Sequence, residues 1–284
     1  MIVVTGATGQ LGRLVIENLL QTLPATQIVA AVRNPQKAAD LAALGVQVRE
    51  ADYNKPATLD AAFAGAQKLL LISSSEIGQR VAQHQAVIDS ARAAGVKLIA
   101  YTSLLHADVS PLALGAEHRQ TEAALAASGL PYVLLRNGWY TENYAASIPP
   151  ALAHGAFIGA AGDGRISSAA RADYAAAAAV VLLGEDQAGH IYELAGDGNY
   201  NLTEFAAEIA WQSRKPVAYR NLPEADFAAA LIGAGLPDAI AGILADSDSG
   251  AAKGALFDDG GQLGQLIGRP TTPMPDTIAA ALKH

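Results

Sequence analysis

The sequence predicts an α/β protein: a doubly wound parallel sheet with a smaller, mostly helical C-terminal lobe. Three observations carry this. Short apolar runs alternate with amphipathic stretches through the first half, a glycine-rich turn follows the first run, and the alternation loosens after about residue 140. Strand–helix alternation at βαβ pitch calls for a parallel sheet covered on both faces. The expected division is residues 1–140 for the sheet domain, with later segments returning to it, and 141–284 for the pocket and C-terminal lobe.

Strands are expected at Ile2–Thr5, Ile28–Val32, Val46–Arg49, Leu69–Ser73, Leu98–Thr102 and Tyr132–Arg136. The run at 69–73 is continuously apolar, as strands buried on both faces are. Helix one is expected from about Gly9 to Leu23, with Leu11, Leu14, Val15, Leu19 and Leu23 on one stripe and Pro24 as its stop. Further helices are expected near Lys37–Leu44, Pro56–Ala64, Gln79–Ala94 and Glu117–Ala127. Beyond residue 140, Pro149-Pro150 and the run Gly159–Gly164 break the periodicity. An alanine-rich helix follows at Asp173–Leu183, then a strand at Ile191–Leu194. A helix capped by Thr203 has Ala206 at its third position, so no capping box is expected. Helices near Glu224–Ile232 and Asp238–Leu244 lead into a loop, Asp246–Gly250.

The chain has 284 residues, 51% hydrophobic and 16% charged, which is ample for a large core. Nineteen basic against 27 acidic residues give a net charge of −8, which argues against nucleic acid or an anionic membrane as the main partner. Cysteine is absent, so thiolate metal sites, iron–sulfur clusters and a thiol nucleophile are excluded. Met1 runs straight into Ile2-Val3-Val4 without a basic leader, and the uncharged stretch 143–162 is broken by prolines and glycines. A cytoplasmic protein without a membrane span is expected, and an oligomer is compatible with everything above.

Gly6, Gly9 and Gly12 are spaced Gly-x-x-Gly-x-x-Gly between strand one and helix one. Glycine permits the sharp turn, the close approach of backbone to a pyrophosphate and tight helix–strand packing, while the helix N-terminus offers free N–H groups. In this setting the turn reads as a dinucleotide site on a Rossmann-type sheet. At the end of strand two, where an NAD site places an acid on the ribose, stands Arg33, which suits the 2′-phosphate of NADP(H). Asp52 fits either the adenine amine or a local cap.

The fingerprint Val4–Gly12 with Val32-Arg33-Asn34 resembles the NmrA-like group of atypical short-chain dehydrogenase/reductases. The stretches Leu70–Glu76, Tyr101–Asp108, Leu134–Tyr140, Gly159–Asp173 and 244–254 resemble its bacterial quinone-reducing members, so the likeness covers nearly the whole chain. The resemblance implies cofactor contacts at Gly6, Thr8, Gly9, Gln10, Leu11 and Arg33, at Ser73, Ser74 and Ser75, and at Asn137, Gly138, Trp139 and Tyr140. The later stretches lie at the carboxyl ends of expected strands, where open α/β sheets bind ligands.

Most short-chain dehydrogenases carry a Tyr-x-x-x-Lys pair on the helix after strand five. Here that helix reads His118-Arg119-Gln120-Thr121-Glu122, and no Tyr-x-x-x-Lys occurs anywhere in the chain. A positioned acid is worth roughly 10²–10⁴ in rate for a ketone, which becomes an alkoxide. A quinone spreads its gained charge over an aromatic phenolate that water protonates, and needs stacking at about 3–3.5 Å more than an acid. The missing pair therefore favours quinone-like or extended conjugated acceptors; with no flavin-specific or metal-ligand motif in the sequence, direct hydride transfer from NADP(H) to a small-molecule quinone is expected, without a catalytic side chain, flavin or metal. Candidate acceptor-pocket residues are Tyr140, Asn143 and Tyr144 after strand six and His106 after strand five. His118 reads as helix surface, Trp139 as core, and Arg171 and Asp173 as capping the alanine-rich helix. Asp246-Ser-Asp248-Ser-Gly250 begins like a calcium loop, but Phe257 stands where the closing Glu belongs. The alternative function is a dinucleotide-binding redox sensor without turnover, which the missing pair suits equally.

Overall fold

Runs that are apolar on both faces become the inner strands of the first of two units. The computed structural model describes residues 1–283; unit one comprises Met1–Ala107, Ala116–Asn137 and Arg171–Glu193, and unit two comprises Asp108–Gly115, Gly138–Ala170 and the chain from Leu194 onward.

In chain order the elements are β1 (Ile2–Thr5), α1 (Gln10–Leu20), β2 (Ile28–Val32), α2 (Ala39–Ala43), β3 (Gln47–Glu50), α3 (Pro56–Phe63), β4 (Lys68–Leu71), α4 (Arg80–Ala93), β5 (Leu98–Leu104), α5 (Ala113–Ala127), β6 (Tyr132–Asn137), α6 (Thr141–Ala145), α7 (Ile148–His154), β7 (Ala156–Gly159), α8 (Arg171–Leu183), β8 (Ile191–Leu194), α9 (Leu202–Ser213), β9 (Ala218–Asn221), α10 (Glu224–Gly233), α11 (Asp238–Ala251), α12 (Gln262–Ile267) and α13 (Met274–Ala281).

The sheet of unit one has the order β3-β2-β1-β4-β5-β6-β8, with β1 to β6 parallel wherever they pair. The order turns outward from β1 in both directions, so β1 and β4 flank the point where crossovers change direction. Strands β1, β2 and β5 are buried along their whole length, whereas β3, at the sheet edge, is only half-buried and reads Gln-Val-Arg-Glu. On one face Val3, Phe63, Leu71, Ile88 and Tyr101 share a core with α3 and α4. Helix α8 packs against α1. Its alanines serve that packing: Ala175, Ala177, Ala178 and Ala179 are buried, favour the helix and keep its surface low.

Helix α1 buries Leu11, Val15, Ile16 and Leu19 and ends at Leu20, short of the expected Leu23, because the residue before Pro24 is disfavoured in a helix. The stretch expected as a helix at 37–44 is split: a 3-10 turn at Pro35–Ala38, capped by the Asn34 side chain on Gln36 N–H at 3.0 Å, precedes α2.

Unit two departs further from expectation. A two-stranded parallel sheet, β7 with β9 in the register Ala156 to Ala218, joins the helices. Pro149 and Pro150 do not break a helix; they lie in the first turn of α7, where no intrahelical N–H is needed. The cap of α9 is Asn201, not Thr203. Its side chain accepts from Glu204 N–H at 2.9 Å while Glu204 Oε2 accepts from Asn201 N–H at 3.0 Å, a full capping box. Residues 246–250 are not a loop but the last turns of α11, because Asp246 and Asp248 find partners elsewhere in this unit: Ala113 N–H at 2.9 Å for the first, and Tyr144 Oη with Ala160 N–H for the second. No helix among the described residues is long and apolar enough to cross a membrane.

Gly164 lies so close to the end of α11 that a Cβ there would stand 2.2 Å from the Ala251 carbonyl oxygen. Gly164→Ala is expected to cost about 1–3 kcal/mol, read as a fall of several degrees in the thermal unfolding midpoint. Gly198→Ala, with nothing within 4 Å of the added carbon, serves as the neutral control.

Candidate active site

The turn between β1 and α1 is shaped by its glycines. Gly6 has φ +57°, and a Cβ on Gly12 would stand 2.6 Å from the Gly6 carbonyl oxygen and 2.7 Å from Ala7 Cα. Gly9 N–H closes the turn on Gly6 O at 2.9 Å, and the first helical bond runs from Arg13 N–H to Gly9 O. No side chain caps α1 and no acid stands in its first turn. The amides of its first turn and the positive end of its dipole therefore face outward without a built-in anion, as a pyrophosphate requires. Arg13 braces the turn: its Nε donates to Thr8 O at 3.2 Å, and its guanidinium reaches Asp40 and Lys37 O.

Beside it, the loop leaving β4 is held amide by amide. Ile72 N–H donates to Thr5 Oγ1 (3.0 Å), Ser73 N–H to Thr102 Oγ1 (2.9 Å) and Ser74 N–H to His84 Nε2 (2.9 Å). Tyr53 Oη donates to the same Thr5 hydroxyl at 2.6 Å, and burial holds its phenol well above the usual range. Accepting at Nε2 fixes the His84 tautomer, so Nδ1–H donates to Thr121 Oγ1 at 2.9 Å. Burial, with the charge of Arg80, lowers the His84 pKa to about 3, so the ring stays neutral. Arg80 Nε donates to Ser74 O at 2.8 Å and its guanidinium pairs with Glu117. Arg33 follows β2 with its side chain 67% exposed, paired with Glu76 at 2.5 Å. Asp52 is a local cap, accepting from Asn54 N–H at 3.0 Å.

The positions of the missing Tyr-x-x-x-Lys pair are filled by residues that hold the scaffold. His118 is not on the surface: it is 5% exposed, with Nδ1 2.7 Å from Tyr101 Oη, a partner on the neighbouring strand. Burial first, then Arg80 and His84, lowers its pKa to about 3. Glu122 grips Arg136 by two bonds of 3.0 and 2.8 Å and accepts from Ser103 Oγ at 2.5 Å. Arg136 reaches Glu193 at 2.7 Å, and Glu193 accepts from His106 N–H at 2.8 Å. His106 has φ +50°, and this backbone bond anchors that corner. A buried, neutral His118 is not a general acid near neutrality, and the Glu122 carboxylate is taken up by its pair with Arg136. At the end of β6 the Asn137 side chain is 6% exposed and its Oδ1 is buried without a partner among the described residues, an acceptor awaiting a donor. The bare helix start, the glycine cradle and this acceptor fit a dinucleotide.

Within unit two, Tyr140 and Asn143 are half-buried, with Asn143 N–H on Tyr140 O at 3.0 Å. Tyr144 stands apart from them: it is buried among Trp139, Phe157 and Phe205, and its Oη donates to Asp248 at 2.9 Å. In this arrangement its ring face is used by the core, not offered to a flat ligand. Trp139 is core, as expected, and Asp173 is fully buried in the first turn of α8. No group of three or more metal-ligating side chains exists among the described residues. His84, Tyr53, Thr102 and Glu76 carried no sequence signal of their own, and Asp248 stood out only within a calcium-like run; their roles depend on partners brought in by the fold.

Comparison with known proteins places these features. Residues 6–182 match the family described as NAD(P)H-binding. Over 279 residues, 98% of each chain, the sequence is 63% identical to quinone oxidoreductase 2 of Escherichia coli strain K12. The crystal structure of the Escherichia coli NADPH-dependent quinone oxidoreductase complexed with NADPH superposes with a TM-score of 0.97 at 62% identity, covering 99% of this chain and 100% of that one. The Citrobacter sp. triphenylmethane reductase complexed with NADP(H) superposes with a TM-score of 0.95 at 38% identity, again covering 99% and 100%.

Asp248 makes a testable element of unit two. Burial lifts its carboxyl to about 6, against the opposing pull of Ala160 N–H and Tyr144 Oη. A raised carboxyl pKa means that the folded state holds the proton more tightly. Its stabilising contribution is full below the unfolded value, near 4, and is lost as pH rises to about 6. Asp248→Asn, which can accept from Ala160 N–H and donate to Tyr144, is expected to lack this slope. Measured by denaturant unfolding, wild type should lose on the order of 3 kcal/mol relative to the variant between about pH 4 and 7.

Proposed function

We propose, on the premise that the chain belongs to the NAD(P)H-binding family and to its NmrA-like atypical short-chain dehydrogenase/reductases, that it is an NADPH:quinone oxidoreductase. One observation carries the mechanism: an intact dinucleotide turn stands in the same unit as an acid–base position filled by buried, neutral His118 and ion-paired Glu122. Bound NADPH supplies a hydride; with one proton from water, the quinone is reduced by two electrons to the hydroquinone.

The chain's own residues bind and orient. Gly6 and Gly9 shape the turn around the pyrophosphate, and Thr8, Gln10 and Leu11 present backbone amides to it at the start of α1. Arg33 takes the 2′-phosphate, for which its always-charged fork is suited. Ser73, Ser74 and Ser75, fixed through Thr102 and His84, line the cofactor's path. Asn137 Oδ1 accepts a hydrogen bond from the cofactor, and likeness to the family assigns cofactor contacts to Gly138, Trp139 and Tyr140 as well. Tyr140 and Asn143 are assigned to the acceptor, the ring for stacking and the amide as a donor to a quinone oxygen. No side chain is asked to deliver a proton, because the phenolate product is a weak base. The reading places the enzyme in the cytoplasm, where NADPH is generated.

The expected result is rapid NADPH oxidation by the purified protein, followed by absorbance, only when a benzoquinone or naphthoquinone is present, with NADPH preferred to NADH. Arg33→Ala should raise the KM for NADPH by about 10–100-fold, the worth of a charge-assisted contact, and leave the KM for NADH nearly unchanged. Tight NADPH binding without turnover on several quinones would overturn the enzyme reading in favour of a sensor.

A further inference from the structure

Arg33 does not stand alone at the end of β2. Its Nη1 is bonded to Glu76 Oε1, an acid four residues beyond Ile72 on the loop leaving β4. That carboxylate is placed with care. Its second oxygen, Oε2, accepts from Gln83 Nε2 at 2.7 Å, and Glu76 N–H donates to Ser74 Oγ at 3.1 Å. Gln83, on α4, is 3% exposed and is itself fixed, taking the Ser74 hydroxyl at Oε1 and reaching Asn54 Oδ1 at 3.3 Å. Glu76 is thus a prearranged anion on the cation that the 2′-phosphate needs, not a mobile loop acid that happened to find a partner.

We propose that Glu76 is a specificity-determining residue: its carboxylate occupies Arg33 in competition with the 2′-phosphate of the cofactor and lowers affinity for the phosphorylated nucleotide. The inference rests on the assignment of Arg33 to the 2′-phosphate. Two anions drawn to one guanidinium repel each other, and the phosphate arrives with close to two charges. Binding NADPH therefore requires the Arg33–Glu76 pair to loosen, whereas a nucleotide without the 2′-phosphate leaves it intact. Gln83 matters because it keeps the displaced carboxylate nearby, so that it returns when the nucleotide leaves. The device weakens cofactor binding without touching the pyrophosphate turn, and it aids exchange of spent NADP⁺ for NADPH.

The test is binding of 2′,5′-ADP and 5′-AMP, by calorimetry, to wild type, Glu76→Gln and Arg33→Ala. Glu76→Gln keeps the size of the side chain and its contact with Gln83, and its thermal unfolding midpoint should match wild type. It should bind 2′,5′-ADP about two- to fivefold more tightly, the range of interactions between exposed charges, with 5′-AMP unchanged. Its gain should shrink in high salt. Glu76→Gln binding 2′,5′-ADP equally or more weakly, while wild type still prefers it to 5′-AMP and Arg33→Ala does not, would overturn the proposal and leave the cofactor assignment standing. Wild type with no preference for 2′,5′-ADP would overturn both.

Discussion

Backbone amides left over where parallel strands end are the constraint on which the site depends. A β-ladder satisfies its N–H groups only while a neighbouring strand continues, and each amide beyond that point needs another acceptor. Past β4, three consecutive amides of Ile72, Ser73 and Ser74 are taken by three side chains from three elements: Thr5 of β1, Thr102 of β5 and His84 of α4. The loop that carries Ser73–Ser75 and Glu76 is thereby given one shape. Because β1 and β4 adjoin where the sheet's connections change direction, that shape is set beside the glycine turn that leads into α1.

The same logic explains why groups that look catalytic are inert. His84 and His118 are neutral because burial disfavours the imidazolium, and each has a fixed hydrogen-bond task. Glu122 and Glu193 are held by Arg136, a buried cation whose loss of either partner would cost about 3–5 kcal/mol. The helix face that supplies an acid–base pair elsewhere among short-chain dehydrogenases is here given over to structure. The pair of Arg33 with Glu76, by contrast, stands exposed at the end of β2. An acceptor that accommodates its own negative charge is the substrate such a site can reduce.

Inner strands were legible because burial on both faces forces continuous apolar runs, and Ile28–Val32 matches its expected bounds; Ile191–Leu194 also matches, although only Leu194 of it is buried. The sharp turn between β1 and α1 was legible because glycine at residues 6 and 12 answers a backbone requirement that no other residue meets. Elements whose logic is tertiary stayed hidden. Asp246 and Asp248 read as loop residues because their partners, Ala113 N–H, Tyr144 and Ala160 N–H, lie about a hundred residues away. β7 and β9 are four residues each, and Ala-Tyr-Arg-Asn has no alternation to mark a strand. His118 looked solvent-facing until Tyr101 was placed against it. Tyr144 has the right side-chain type for a flat ligand, but the Asp248 bond and three aromatic neighbours draw it into the core.

The central claim is that the hydride moves directly to the quinone with no protein group supplying a proton in the same step. It is tested most directly by single-turnover oxidation of NADPH deuterated at the transferring C4 position, followed across a range of about pH 6 to 8.5. The account expects a primary isotope effect of constant size and a rate that does not change with pH across that range. A bell-shaped profile, which would reveal a titrating acid or base on the enzyme, or the absence of an isotope effect would contradict it.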